Sequence, residues 1–194
     1  ASDSANDTIN ISNGIWFDGS DPAAGMIVKD TNELTLLANG AGGDINVNGG
    51  IALSTGNKLT MTANDDISVY GAVTVGGTLD VNASGDAYFV NGINNTGTVT
   101  VDGENANLND ITNSGTMAVN TPGNLTVRDI TNSGNLTLDG NILQARGITQ
   151  TAGSMDVTGF AFDLYSLNVT GGYVNLNSAN INATNNVSVS GNLV

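Results

Sequence analysis

Apolar and polar residues alternate along this chain in short bursts, and the bursts return at a nearly fixed interval. The pairs Leu59/Met61, Leu79/Val81, Val99/Val101, Met117/Val119, Leu136/Leu138, Met155/Val157 and Val174/Leu176 each enclose one outward position. Each pair follows a glycine by two or three residues. The glycines are Gly56, Gly77, Gly97, Gly115, Gly134, Gly153 and Gly172, with Gly191 opening one more at Leu193; successive spacings are 21, 20, 18, 19, 19, 19 and 19. A two-residue alternation sends neighbouring side chains to opposite faces of a strand. A repeat of this length with no helical period predicts a solenoid of stacked coils.

Aligned on the glycines, each coil resolves into three segments. Ile93, Val99/Val101 and Leu108 mark them before the frame restarts at Ile111. The frame recurs from Ile130 and Ile148, and Leu125/Val127 and Phe160/Phe162 supply the remaining side of their coils. The expected fold is all-β: a parallel β-helix of about eight coils, each of 18–21 residues with three short strands. With strands about 4.8 Å apart, such a stack is a rod on the order of 40 Å long.

Asn95, Asn113, Asn132 and Gln150 fall in one column at spacings of 18, 19 and 18, which predicts a ladder of amides bonded up and down the stack. The first 50 residues drift from the period. Residues 1–33 are therefore assigned to an N-terminal cap or atypical first coils, with Trp16 and Phe17 over the exposed core, and residues 34–194 to the β-helix. Leu193 and Val194 enter a strand after Gly191, so the C-terminal end is expected to be open. Such an end would be continued by more chain or covered by a second subunit stacked end to end.

Composition sharpens this picture. The chain has 26 Gly, two Pro and few of the Glu, Lys and Arg that stabilise helices. It has no cysteine, which excludes disulfides and thiolate metal sites. Eighteen acidic against four basic residues give a net charge of −14, which argues against nucleic acid as a partner. No 18-residue apolar run is present for a membrane span, and the first residues lack the features of a secretion signal, so for an exported protein that signal is expected to have been removed or to lie outside this sequence.

Two consecutive repeats, residues 111–129 (ITNSGTMAVNTPGNLTVRD) and 130–147 (ITNSGNLTLDGNILQARG), resemble the coils of filamentous haemagglutinin-like exoproteins. These are large secreted bacterial adhesins of the two-partner and autotransporter kinds. The resemblance extends over about residues 50–194. It implies a right-handed β-helix, an extracellular or cell-surface location, a role in adhesion or the biofilm matrix, and no catalysis.

The residue inventory also speaks against an enzyme. With no His, no Cys and four basic side chains, most general bases and oxyanion clamps are missing. Parallel β-helices do carry polysaccharide lyases and glycosidases, which makes Asp65 and Asp66 a candidate carboxylate pair. Neighbours on a strand point to opposite faces, and a solvated turn accounts for them better. The segment from Gly40 to Val47 partly resembles a calcium-binding nonapeptide repeat, but it occurs once and that motif works in tandem. No metal or cofactor is assigned. An ice-binding face would need a regular Thr column, and the outward positions Thr60, Asp80, Thr100, Ala118, Thr137, Asp156 and Asn175 do not form one.

One surface constellation stands out. Asn109, Arg128, Arg146 and Tyr165 each lie two residues before a coil restarts, and so in one column on successive turns. A tyrosine beside arginines suits a carbohydrate or a host or matrix protein. The competing reading pairs the arginines with Asp110 and Asp129 and stacks them on Tyr165 for local stability. The expected function is thus a structural or adhesive element of a bacterial surface protein or fibre. A filament subunit stacking end to end is the alternative, and a polysaccharide-cleaving β-helix comes third.

Overall fold

The inward apolar residues are extended because β-branched and long aliphatic side chains at every second position can all reach one interior only from a strand. A computed structural model of the chain describes residues 8–17, 26–27 and 32–194. It is all-β with no helix among the described residues, and its parallel strands stack into a β-solenoid of about eight turns.

The solenoid has three faces. The first stacks Glu33–Ala38, Lys58–Ala63, Thr78–Ala83 and Thr98–Asp102, then the opening segments of Thr116–Asn132, Asn135–Gln150, Ser154–Val169 and Tyr173–Ala183, then Asn192–Leu193. The second stacks Ile9–Ile11, Ile45–Val47, Ile67–Val69 and Ala87–Phe89, then residues 106–108, 125–127, 143–145 and 162–164. The third runs from Met26–Ile27 on Gly14–Trp16 through Gly50–Leu53, Val73–Val75 and Ile93–Asn95 to Val187–Val189. In the later coils the three segments merge into strands of 16 or 17 residues that turn the corners without interruption.

Along the first face the register advances by 18 to 20 residues from Lys58 to Thr78, Thr98, Thr116, Asn135, Ser154, Tyr173 and Asn192. The coil that opens at Glu33 is longer. The Asn39–Asn64 hydrogen bond there spans 25 residues. The added length sits in two corners, one closed by Gly43 N–H donating to Gly40 C=O and the other by Asn57 N–H donating to Ser54 C=O. Ile9–Ile11 and Gly14–Trp16 pair in parallel with residues 45–47 and 50–52. Ile15 and Phe17 are buried in the common core, while Trp16 is half-buried. The rest of the expected cap, residues 1–7, 18–25 and 28–31, lies outside the described residues.

The glycine column has a steric cause. Each corner sits directly over the one below, and its glycine carbonyl accepts the first strand N–H of the next coil, as Thr98 N–H to Gly77 C=O and Thr116 N–H to Gly97 C=O, both 2.8 Å. A Cβ on Gly97, Gly115 or Gly134 would lie 2.1–2.2 Å from that carbonyl oxygen. Gly56 does not belong to this column. The residue beneath Gly77 is Asn57, and Gly56 has open space around its missing Cβ but a φ of +87°.

Candidate functional site

The amide ladder forms inside the stack. Asn95 Nδ2 donates to Asn113 Oδ1, Asn113 Nδ2 to Asn132 Oδ1 and Asn132 Nδ2 to Gln150 Oε1, each at 2.8 Å. The same nitrogens reach the carbonyls of Thr116, Asn135 and Ser154 at 2.9–3.0 Å. At the lower end Asn95 Oδ1 accepts from Gly97 N–H. All four amides are fully buried. They are structural and present nothing to a ligand.

A second ladder runs outside the corner that precedes the second face. Asp66 N–H donates to Asp44 Oδ1, Asp86 N–H to Asp66 Oδ1, Asn105 Nδ2 to Asp86 Oδ1 and Asn124 N–H to Asn105 Oδ1, at 2.8–3.2 Å. These oxygens are occupied in joining coil to coil, so Asp66 acts as a corner acceptor. Asp65 beside it points to solvent, and the repulsion of Asp66, with smaller contributions from desolvation, Asp44 and Asp86, raises its carboxyl above the ordinary range. Tyr88 Oη donates to Asp86 Oδ2 at 2.5 Å, a bond that holds the phenol neutral and pushes its pKa to about 12. Among the described residues no three acidic side chains are arranged to hold a metal ion.

The four residues of the surface column come together as the spacing implies. Asn109, Arg128, Arg146 and Tyr165 follow Leu108, Val127, Ala145 and Leu164, which are stacked in register on the second face. They line one side of an open groove of about 560 Å³ whose floor includes Asn107, Thr126, Gln144 and Asp163. Their side chains do different things. Asn109 Nδ2 donates to the Val90 carbonyl and so serves the corner. Arg128 forms a two-point pair with Asp110, Nε to Oδ1 at 2.9 Å and Nη2 to Oδ2. Arg146 pairs in the same way with Asp129. Each arginine thus reaches back one coil, and the Asp110 hydrogen bond raises the Arg128 pKa further above its ordinary value. Tyr165 is 53 % exposed.

The column extends further than the spacing suggested. Val69 stacks under Phe89 and Phe89 under Leu108, which places Tyr70 and Val90 beneath Asn109. Tyr70, Tyr88 and Val90 line a smaller recess of about 400 Å³ on the same face, toward the N-terminal end. Between Lys58 and Val169, the large apolar side chains that are exposed among the described residues are Tyr70, Val90 and Tyr165, all in this one column. The aligned strand starts could have revealed it, since Tyr70, Val90 and Asn109 each directly follow the last inward residue of their second-face strand.

Comparison with protein-family models, with curated proteins and with solved structures finds no match for this chain.

Proposed function

We propose that this chain is a non-enzymatic structural and adhesive element of an extracellular bacterial surface protein or fibre. The observation that carries the reading is that, among the described residues between Lys58 and Val169, the exposed large apolar side chains Tyr70, Val90 and Tyr165 share a single column on one face. A solenoid with no interaction duty has no need for tyrosine and valine in water at stacked positions, and such patches mark interaction surfaces. The continuous core and the two ladders supply the complementary property, a stiff scaffold on which weak contacts accumulate along the axis. The bacterial surface location rests on the likeness of residues 111–147 to haemagglutinin-like coils.

The test is retention of the purified chain on a panel of immobilised polysaccharides and matrix proteins (mucin, collagen and fibronectin), with soluble polysaccharides analysed in parallel for cleavage products. Retention without products is the expected result. Release of reducing ends or unsaturated sugars, or no retention on any surface, would overturn the reading.

A further inference from the structure

The inference rests on the adhesive reading and names what the second face takes. We propose that this face is a binding groove for an extended neutral polysaccharide lying along the solenoid axis.

Three properties of the face point to that ligand. The first is its period. Outward positions recur at every rung, about 4.8 Å apart, so a polymer laid along the axis meets a side chain of the face at each step. The second is the kind of group. Tyr70 and Tyr88 stand at one end of the face and Tyr165 at the other, with Tyr88 and Tyr165 four rungs or about 20 Å apart. Tyrosine rings offer flat apolar surface to the C–H faces of sugar rings and a hydroxyl to their edges. Between them lie Asn107, Thr126 and Gln144, whose side chains have no hydrogen-bond partner among the described residues. Amides and hydroxyls both donate and accept, which is what sugar hydroxyls require. At the C-terminal end of this face Asn182 Nδ2 donates to Asp163 Oδ1, and on the first face Asn82 donates to Asp80 and Asn175 to Asp156.

The third property is charge. The two arginines of the groove are each matched by an aspartate of the coil below, so they add no net positive field. Asp163 is exposed in the groove and the chain carries −14 overall. A polyanion would be repelled, whereas a neutral polymer meets aromatic surface and hydrogen-bonding groups without that penalty. A protein partner fits less well, because the small cluster of Tyr70, Tyr88 and Val90 is separated from Tyr165 by the polar rungs of Asn109, Arg128 and Arg146, which leaves no dry patch along the groove.

The experiment is native electrophoresis of the chain in gels cast with neutral polysaccharides (mannan, galactomannan, mixed-linkage glucan and xyloglucan) and, separately, with alginate and polygalacturonate. Retardation is expected in at least one neutral gel and in neither anionic one. Tyr165→Ala and Tyr70→Ala should each weaken it about tenfold, while Tyr173→Ala, on the first face, leaves it unchanged. Calorimetry with fragments of the retaining polymer should show affinity rising with fragment length. The proposal falls if no neutral gel retards the chain, if both groove variants, checked as folded by circular dichroism, are retarded like the parent, or if only anionic gels act and Arg128→Ala abolishes the effect. Should matrix proteins retain the chain while neutral polymers do not, the groove assignment fails and the adhesive reading stands.

Discussion

At Asn113 one buried amide joins three coils. Its oxygen accepts from Asn95 below, and its nitrogen donates to Asn132 above and to the Asn135 carbonyl. Replacing Asn113 with Ala would take the donor away from buried Asn132 Oδ1 and from the Asn135 carbonyl, with water excluded, while Asn95 Nδ2 keeps the Thr116 carbonyl. Each such group costs about 1–3 kcal/mol, so Asn113→Ala should lower unfolding free energy by about 3 kcal/mol or more in urea titration, a far larger loss than an exposed amide such as Gln144 would give. The glycines divide in the same residue-level way. Gly115→Ala forces a Cβ to within 2.2 Å of the Gly97 carbonyl oxygen and should cost about 3 kcal/mol. Gly56→Ala meets no atom and should cost about 1 kcal/mol for its positive φ alone. Asp65 offers a test by pH. Its raised pKa means that the folded state holds the proton more tightly than the unfolded chain does. Stability therefore falls as pH rises through the carboxylate range. Asp65→Asn should raise the melting temperature at pH 7 and change it little at pH 3. Much of this scale was legible in the sequence: the spacing of Asn95, Asn113, Asn132 and Gln150 carried the ladder, since a column that repeats with the coil must stack. That Gly56 stands outside the glycine column was not legible, because two extra residues in its corner, one on either side of the glycine, shift the register while leaving a glycine near the expected place.

At the scale of strands and corners, the same effect explains which part of the candidate face the sequence disclosed. The corner between second and third faces spans one residue fewer in the later coils. Leu108 and Ile111 are three apart, whereas Phe89 and Ile93, or Val69 and Val73, are four apart. Counting back from the restart of each coil therefore finds Asn109, Arg128, Arg146 and Tyr165 but slips past Tyr70 and Val90. Counting forward from the inward pair would have found all six. The arginine pairs belong to this scale too, since they clip adjacent coils together from outside. Both partners are roughly half exposed, and such pairs contribute little. Arg128→Ala should leave the denaturation midpoint unchanged within error, a result that would separate the surface column from the stability of the stack.

For the whole molecule, the three-strand coil, the parallel stacking and the number of turns could all be read from alternation and period, because a solenoid repeats one local solution and each coil is supported only by its neighbours. The length of the coil that opens at Glu33 and the pairing of residues 9–16 with residues 45–52 were not readable, since both depend on corners of irregular length. Function at this scale is a matter of which face meets a partner. The most direct test is hydroxyl-radical footprinting of the chain held on each surface that retains it, against the free chain. The account predicts lower oxidation at Tyr70 and Tyr165, with Tyr173 on the first face oxidised as before. Protection centred on Tyr173, protection spread evenly over the three faces, or the failure of every surface to retain the chain would contradict it.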